Sequence, residues 1–292
     1  MNVISSSRFA VEVINIETDQ KELIRSSGYE SLYYGISWDR DYMYLGRRDL
    51  ISGANSIEVL DLDLAYKDTL LQGHPALKDT HQIIVHDGTL WVTSCGNNAV
   101  VKLDPTKPRE WNQMAVWYPT ERYGDDYNHF NSIWFDDHKI YLIAHNKGAS
   151  QLYVFEEGPD PQLVEITNMG MGAHNVAKSG GEVITFSSGD GYILTHTGRV
   201  INLHRNNYPR GVAIGDGFSI IGLSEHCTDR GVRHMERRGA VQLYTHTGAQ
   251  KIVGGTHVKT IEMWKGMIFE VRGLDFPDYA HHGEPWRGRY GK

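Results

Sequence analysis

A recurring hairpin constrains this 292-residue chain more than any other feature, and its clearest copy lies between residues 80 and 94. An apolar strand, Gln82–His86, runs into an Asp87-Gly88 turn and continues as a second apolar strand, Leu90–Thr93. Asp-Gly between alternating apolar residues is a strong signal for a tight β-hairpin. A single hairpin cannot bury both of its faces, so we expect a repeat architecture in which neighbouring copies cover one another.

Six copies of the hairpin can be aligned on their central turns, with starting positions 36 to 50 residues apart. The aligned starting positions are Tyr34, His81, Asn131, His174, Arg210 and Lys259. This spacing is close to the roughly 40–50 residues of a four-stranded propeller blade. The five other hairpins pair 34–38 with 42–45, 132–135 with 140–143, 175–178 with 183–186, 211–214 with 219–223, and 258–264 with 267–271.

Further short strands follow the hairpins, and the N-terminal segments Phe9–Ile16 and Lys21–Arg25 have the same character. The sequence therefore predicts an all-β fold, a six-bladed β-propeller with four antiparallel strands per blade and one domain over residues 1–292. We expect the last blade to be closed by outer strands from the N-terminus and inner strands from the C-terminus. Such closure leaves no free sheet edge.

Composition excludes several classes of protein. The net charge of −7 disfavours a nucleic-acid binder, which normally has a basic surface. Cys95 and Cys227 are too few for a disulfide scaffold and do not form a zinc-type pair, which is typical of reduced thiols in the cytoplasm. The sequence shows neither a secretory signal pattern nor an apolar run of about 20 residues, so we expect a cytoplasmic protein without a membrane partner.

Histidines gather at the predicted entrances of the innermost strands. His81 and His174 occupy aligned starting positions, while His129 and His257 each lie two residues before one and so share its strand face. Neutral imidazole is a good ligand for divalent transition metals. These four residues predict a site for manganese, iron or zinc at the mouth of the central channel. A metal-free mouth, in which the histidines hydrogen-bond to neighbouring loops, is the alternative.

Arginines gather in the loops between the second and third strands, which reach the same mouth. The candidate ligand-binding residues are Arg47, Arg48, Arg210, Arg237 and Arg272. Guanidinium groups bind carboxylate, sulfate and phosphate through paired hydrogen bonds, so we expect an anionic small molecule or carbohydrate as ligand. The longest of these loops, residues 226–239, is a candidate lid. These arginines could instead pair with nearby acidic residues in a solvated loop.

Proton transfer needs a titratable group within reach of the substrate, and the predicted catalytic residues are Tyr34, Glu225 and Arg210. Tyr34 or Glu225 would transfer the proton, and Arg210 would orient the anion. Trp38, Tyr123, Tyr127 and Trp286 are candidates for the pocket wall, although aromatic residues at these places are equally often packing residues. The sequence contains no nucleophile elbow, phosphate loop or dinucleotide-binding fingerprint.

The segment 87–92, Asp-Gly-Thr-Leu-Trp-Val, followed by Asn97-Asn98, resembles the six-bladed propellers of the NHL, gluconolactonase and strictosidine-synthase-like group over most of the chain. A poorly characterised bacterial family of histidine-containing propellers is similar at the strand entrances. The motifs are Asp79-Thr80-His81, His129-Phe130-Asn131-Ser132, Ala173-His174-Asn175, and Pro209-Arg210-Gly211 with Ser224-Glu225. Gluconolactonases hold a divalent cation largely through acidic and amide side chains, a pattern from which this sequence departs. Propeller lyases acting on uronic-acid sugars, which hold a metal through axial histidines, resemble it better in this respect.

Three functions are compatible with these features. The first is a metal-assisted lyase or hydrolase that acts on an anionic small molecule or sugar at the channel mouth. The second is a non-catalytic propeller that binds an anionic glycan or peptide through the same arginines. The third is a metal-free synthase or cyclase with Glu225 as the base.

Overall fold

In the part of the chain that the structure describes, the fold is built from β-strands apart from one short helical turn. The computed structural model describes residues 1–26, 28–106, 114–121, 125–203, 207–227, 229, 238–247, 253–281 and 284–291. Within these residues, 24 strands form six sheets of four antiparallel strands each. The predicted all-β fold, a six-bladed propeller with four antiparallel strands per blade, is confirmed.

The strands follow one another around the ring, with the innermost strand first in blades 1 to 5. The chain begins with three strands of the closing blade: β1 (Asn2–Ser7), β2 (Ala10–Asn15) and β3 (Lys21–Ser26). Blade 1 contains β4 (Ser31–Trp38), β5 (Met43–Asp49), β6 (Asn55–Leu60) and β7 (Tyr66–Leu70). Blade 2 contains β8 (Thr80–His86), β9 (Thr89–Ser94), β10 (Ala99–Leu103) and β11 (Ala115–Trp117). Blade 3 contains β12 (Phe130–Asp136), β13 (Lys139–Ala144), β14 (Ala149–Glu156) and β15 (Gln162–Met171).

The second half of the ring repeats this order. Blade 4 contains β16 (Ala173–Ser179), β17 (Glu182–Ser187), β18 (Tyr192–Thr195) and β19 (Val200–Ile201). Blade 5 contains β20 (Tyr208–Gly215), β21 (Phe218–Ser224), β22 (Arg238–Thr245) and β23 (Thr256–Lys265). Blade 6 is completed by β24 (Ile268–Gly273). The 3-10 turn Cys95–Asn97 is the only helical element in the described ranges, where no helix is long and apolar enough to cross a membrane.

Blade 6 is closed by both chain ends, as expected, but the ends contribute three strands and one strand rather than two each. Its order is β24-β1-β2-β3, so β24 is the innermost strand and pairs with β1. The predicted hairpin of 258–264 with 267–271 is wrong, because its first half belongs to β23, the outermost strand of blade 5. Strand β1 was not predicted because half of it consists of polar residues, Ser5, Ser6 and Ser7, which interrupt the apolar pattern although they are buried.

The hydrophobic core lies between the faces of neighbouring blades. In one cluster, Ile84 and Trp91 of blade 2 pack with Ile133 of blade 3, and Val176 of blade 4 joins them. The alternating apolar residues of each strand thus cover the blade before and the blade after it. This packing brings the six innermost strands together around the propeller axis.

Candidate functional site

The six innermost strands share an irregularity close to one end of the channel. In every blade, the pairing between the innermost and second strands shifts register there: within 33–36, 80–83, 130–132, 174–176 and 209–212 in blades 1 to 5, and at Ser6/Ser7 in blade 6. Such a bulge leaves residues outside the ladder and re-aims their side chains. The residues around these shifts line a cavity of about 20 Å³ on the axis, which has room for a water molecule or an ion.

Eleven residues line this axial cavity, and each blade contributes. They are Tyr34, Gly35, His81, Gln82, Asn131, Ser132, His174, Asn175, Arg210, Phe269 and Glu270. The predicted starting positions therefore reach the axis in blades 1 to 5. In blade 6 the axial residues are Phe269 and Glu270 rather than Lys259.

Four imidazole rings surround the mouth of the channel. The centroid of His81 lies 5.0 Å from that of His129 and 6.5 Å from that of His174. His145, directly after β13, completes the circuit at 5.3 Å from His129 and 5.0 Å from His174. The structure thus brings together three of the four predicted metal ligands and adds a histidine that was not predicted.

His129 is oriented by an acidic residue in the preceding turn. Its Nδ1 lies 2.7 Å from Oδ1 of Asp126, whose other oxygen pairs with Nζ of Lys147 at 2.8 Å. Burial opposes ionisation of Asp126, but the hydrogen bonds from His129 and Lys147 prevail and lower its pKa. The ionised carboxylate accepts the Nδ1 proton, which leaves Nε2 of His129 as the nitrogen able to bind a metal or a proton.

The backbone at His129 supports this arrangement. His129 adopts a left-handed conformation, with φ of 52°, and Asp79 at the equivalent position of blade 2 has φ of 50°. Residues other than glycine rarely adopt such angles, which persist only where the surrounding structure imposes them. The entry turns of blades 2 and 3 therefore hold the two side chains through the same backbone geometry.

His81 and His129 lie close to three further groups that can bind metals. Ligand atoms of His81, Cys95 and His129 all lie within 4.8 Å of one another, and so do those of Asp79, Asp126 and His129. His129 belongs to both groups. The candidate metal site is therefore centred on His81 and His129, with a thiol and two carboxylates nearby.

The thiol and both carboxylates are already engaged, Asp126 through its contacts with His129 and Lys147. Burial, with Asp79 and Asp126 nearby, raises the pKa of the Cys95 thiol well above its usual value, and the thiol donates a hydrogen bond to the carbonyl oxygen of Phe130 at 3.0 Å. Asp79 forms an ion pair with Arg48. A thiolate or carboxylate ligand would therefore first have to give up its partner, whereas Nε2 of His129 is already in the form that a metal binds.

His174 has a different role from the other predicted ligands. Its Nε2 contacts Nη2 of Arg210, which can only donate, and its Nδ1 lies 3.1 Å from Oγ of Ser188. Burial first, and then the charge of Arg210, lower the pKa of His174 well below its usual value. His174 is therefore a neutral imidazole that positions Arg210, with both ring nitrogens engaged.

His145 is also held in one tautomer. The backbone N–H of Lys147 donates to its Nδ1 at 3.0 Å, so the ring proton lies on Nε2. In this state the Nε2 of His145 is a hydrogen-bond donor rather than a metal ligand.

Arg210 lies between two aromatic rings at the mouth. Its Cζ is 5.2 Å from the ring centroid of Tyr208 and 5.4 Å from that of Phe269. Tyr34 packs on the other side of Phe269, with centroids 4.5 Å apart, and on His81 at 4.7 Å. Burial, assisted by the charge of Asp79, raises the pKa of Tyr34 to about 12, so its hydroxyl stays protonated at neutral pH.

A second arginine lies in the turn between β1 and β2, which is the loop of blade 6 that reaches the mouth. Arg8 contacts the ring of Phe9 with its Cζ at 5.2 Å, and burial lowers its pKa, opposed by the nearby Tyr34. Its Nε is buried and has no hydrogen-bond partner among the described residues. Arg8 was not predicted, because β1 was missed and the turn was therefore not recognised.

Glu270 is a buried carboxyl group at the floor of the axial cavity. It accepts hydrogen bonds from Nδ2 of Asn175 at 3.1 Å and Nε2 of Gln82 at 3.4 Å, and it pairs with Arg272 at 3.2 Å. Burial raises the pKa of Glu270 to about 7, although Arg272 opposes the shift. The centre of the channel therefore carries an acid that can change protonation state near neutral pH.

Several other predicted site residues lie elsewhere. His257 is in β23, opposite Tyr244 on the outer strands of blade 5, with its Nε2 2.9 Å from Oγ1 of Thr260. It is not part of the mouth, because the strand assigned to the axis is an outer strand. Arg272 follows Glu270 along β24 towards the opposite end of the channel, where Trp286 is also buried.

The remaining predicted residues are divided between the mouth and the loops. Arg48 reaches the mouth through Asp79, whereas Arg47 faces Glu58, with its Nη1 3.5 Å from that carboxylate. Glu225 is exposed directly after β21. Arg237 and Tyr123, with most of the candidate lid, lie outside the described residues.

Among the residues that were not predicted, His145 had a usable signal. It directly follows a second strand, and such loops reach the mouth. Asp126 had no comparable signal, because it precedes β12 by four residues in an irregular segment. Glu270 was hidden by the wrong assignment of the last hairpin.

Comparison with known proteins supports the fold. No family model and no curated protein matches the sequence. Among solved structures, the crystal structure of a nidogen/laminin complex contains a chain with a TM-score of 0.66 and 12% identity, covering 93% of this chain and 97% of that one. TolB from Acinetobacter baumannii has a TM-score of 0.61 and 14% identity, and the match covers 93% of this chain and 66% of the TolB chain. A protein of unknown function from Bacteroides caccae has a TM-score of 0.59 and 12% identity, and the match covers 93% of this chain and 97% of that chain. At these identities the likeness is one of fold, and the chain is a six-bladed β-propeller with structural neighbours among solved propellers.

Proposed function

We propose that this propeller is a metal-assisted lyase or hydrolase that acts on a small anionic molecule or a sugar acid at the histidine-lined mouth. The observation that carries the proposal is the orientation of His129 by Asp126 beside His81. A carboxylate that fixes the tautomer of an imidazole is the usual outer partner of a metal-bound histidine. The motif resemblance to the NHL and gluconolactonase group, and to histidine-bearing propeller lyases, points to the same region.

His81 and His129 would hold the ion, and manganese, iron or zinc suits two neutral imidazoles with nearby oxygen donors. A divalent ion at this place would polarise a substrate carboxylate or lower the pKa of a bound water. His174 and His257 are not included in this ligand set. The first is engaged with Arg210 and Ser188, and the second lies on an outer strand.

Arg210 is the group best placed to bind the anion. It is buried, fixed by His174 and flanked by Tyr208 and Phe269. A fixed guanidinium loses little conformational freedom when it binds a carboxylate through two hydrogen bonds. Because the axial cavity measures only about 20 Å³, the reacting group alone would enter it, and the rest of the substrate would lie above the mouth.

Tyr34 would act as a proton donor rather than a base. With a pKa of about 12 its hydroxyl is protonated at neutral pH, so it can donate a hydrogen bond or a proton to a developing negative charge. Because Nε2 of His129 would hold the ion, the complementary proton acceptor would be a water beside the ion.

Elemental analysis of protein purified without an immobilised-metal column tests the proposal. We expect about one manganese, iron or zinc ion per chain, and loss of that ion in His81→Ala and His129→Ala. His138→Ala, at an exposed turn, is the matched control and should retain it. Protein that remains metal-free after incubation with each of the three ions would refute the proposal.

A second candidate function is non-catalytic binding of an anionic glycan or peptide. Arg8, Arg48 and Arg210 at the mouth favour it, and it requires no metal. Under this alternative His129→Ala keeps its affinity for an oligouronate while Arg210→Glu loses it, and no product forms with either protein. A metal-free synthase or cyclase using Glu225 predicts instead that Glu225→Gln is inactive and that chelators have no effect.

A further inference from the structure

A second cavity lies at the opposite end of the channel from the mouth. It has a volume of about 460 Å³ and is bounded by 36–40 and 85–88, where the innermost strands of blades 1 and 2 end. The remaining wall is formed by four residues that follow β24: His281, Glu284, Pro285 and Arg287. The volume is in the range of small-molecule sites.

The floor of this cavity is a buried arginine. Arg272 is 1% exposed, donates from Nε to the carbonyl oxygen of Ile36 at 2.8 Å, and contacts Glu270 through Nη2 at 3.2 Å. Its Nη1 is buried and has no hydrogen-bond partner among the described residues. An unsatisfied guanidinium nitrogen is costly, so an acceptor is expected at this place.

A histidine beside the arginine is held in a defined orientation. His281 also lines the cavity, and its Nδ1 lies 3.0 Å from Oδ2 of Asp278. Asp278 is fixed in turn by the backbone N–H groups of Ile214 and Gly273, at 3.0 and 2.9 Å. Since the carboxylate accepts the Nδ1 proton, Nε2 of His281 lies on the other side of the ring, 4.0 Å from Glu270.

The walls and the rim of the cavity determine which kind of anion can bind to Arg272. Trp38, Val85 and Pro285 provide an apolar wall, and Trp38 is fixed by a hydrogen bond to the carbonyl oxygen of Glu284 at 3.3 Å. The rim carries Arg40 and Arg287, but also three carboxylates. The three carboxylates are Asp39, Asp87 and Glu284. A rim of mixed charge disfavours a dianion such as phosphate and favours a ligand with one negative charge.

We propose that this cavity binds a small monocarboxylate with a compact apolar body. The carboxylate would accept a hydrogen bond from Nη1 of Arg272, and the apolar body would pack on Trp38 and Val85. The site is separate from the mouth and does not depend on the function proposed for the mouth.

Benzoate is a suitable probe, with benzamide as its uncharged counterpart of the same shape. Isothermal titration calorimetry on the full chain should detect benzoate, and benzamide should bind at least about tenfold more weakly because it cannot form the charged hydrogen bond. Val85→Trp should occupy the space beside Trp38 in which the ring of benzoate packs, and so abolish binding. Arg287→Glu, at the exposed rim, should weaken binding about threefold without affecting the fold.

Two controls identify the site. Arg272→Gln should lose benzoate binding, and circular dichroism shows whether this buried variant folds. Arg210→Gln removes the anion-binding group of the mouth, so benzoate binding that persists in this variant belongs to the second cavity. The proposal is overturned if benzoate fails to bind at about 10 mM, the weak end of specific affinities. Binding that survives Val85→Trp, depends on Arg210, or is displaced more readily by inorganic phosphate than by acetate overturns it as well.

Discussion

Asp126 and His129 are joined by a carboxylate–imidazole contact of 2.7 Å in the turn that precedes β12. Only Tyr127 and Asn128 separate the two residues in the chain, so the orientation of the ring is set locally. The backbone of His129 is held in the left-handed region at the same time. The imidazole therefore reaches the mouth with its tautomer and its direction already fixed.

The first prediction concerns this contact. Asp126→Asn should lower the affinity for a divalent ion about 10–100-fold, because the amide is a weaker acceptor for the Nδ1 proton. Competition with a chromophoric zinc chelator measures the change. Lys147→Ala, which removes the other partner of Asp126 but leaves the imidazole contact, is the control and should change the affinity by less than about threefold. Equal losses in both variants would contradict the assigned role of Asp126.

The second prediction concerns the titration of His174. In the unmodified protein its ring should stay neutral well below pH 6.5, because burial and the charge of Arg210 both lower its pKa. Arg210→Met removes the charge but keeps much of the volume, so the titration of His174 should move upwards while remaining below the usual value. Carbon–proton correlation spectra of the histidine rings follow it directly. An unchanged titration would show that Arg210 does not act on His174.

The third prediction concerns stability and pH. Burial raises the pKa of Glu270 from 4.5 to about 7, so between these values the folded protein binds more protons than the unfolded chain. The contribution of Glu270 to the free energy of unfolding is therefore greatest below about pH 4.5. It falls by about 3 kcal/mol as the pH rises to 7. Urea denaturation at several pH values should show this loss in the unmodified protein.

The matched variant for this measurement is Glu270→Gln. The free energy of unfolding of this variant should be lower overall, because Arg272 loses its counter-ion. It should not show the fall between pH 4.5 and 7 that is due to Glu270. The difference between the two proteins isolates Glu270 from groups common to both, such as His174, whose lowered pKa acts in the opposite direction. A difference that does not change between pH 4.5 and 7 would exclude a raised pKa for Glu270.

The fourth prediction concerns the close approach of blades 1 and 2. A Cβ on Gly35 would meet the backbone nitrogen of Ile83 and lie 2.8 Å from the carbonyl oxygen of His81. Gly35→Ala should therefore destabilise the fold by about 1–3 kcal/mol, since backbone atoms of a neighbouring strand cannot move aside. Gly158→Ala has open space around its Cβ and should stay within about 0.5 kcal/mol of the unmodified protein. Denaturant unfolding of both variants measures the contrast.

The blades could be predicted from the sequence because each hairpin carries its own turn and its own alternation. Asp87-Gly88 and the apolar strands beside it specify one hairpin without reference to the rest of the chain. The last blade could not be predicted in the same way. Residues 256–265 and 268–273 alternate like a hairpin around Gly266, yet they pair with different neighbours. The alternation of apolar and polar residues indicates which residues share a face of a strand. It does not indicate which neighbouring strand pairs with it.

The candidate site was predictable only in part for a related reason. His81, His129 and His174 were found because their positions repeat from blade to blade. Asp126 lies in a turn that has no counterpart in the hairpin pattern, and Glu270 lies in the misassigned strand. Which histidines are available to a metal depends on hydrogen bonds such as that between His174 and Arg210, which join different blades and leave no local trace in the sequence.

The register shifts near the mouth affect which amino-acid substitutions the axial site can tolerate. Because most of the axial residues, though not His174, lie outside the ladder, a substitution there need not disturb strand pairing. The positions around the ring already differ widely in chemistry: Tyr34, His81, Asn131, His174, Arg210 and Phe269. Each blade thus offers one position at the axis, and because these positions contact one another, a new activity would require coupled substitutions in neighbouring blades on an unchanged scaffold.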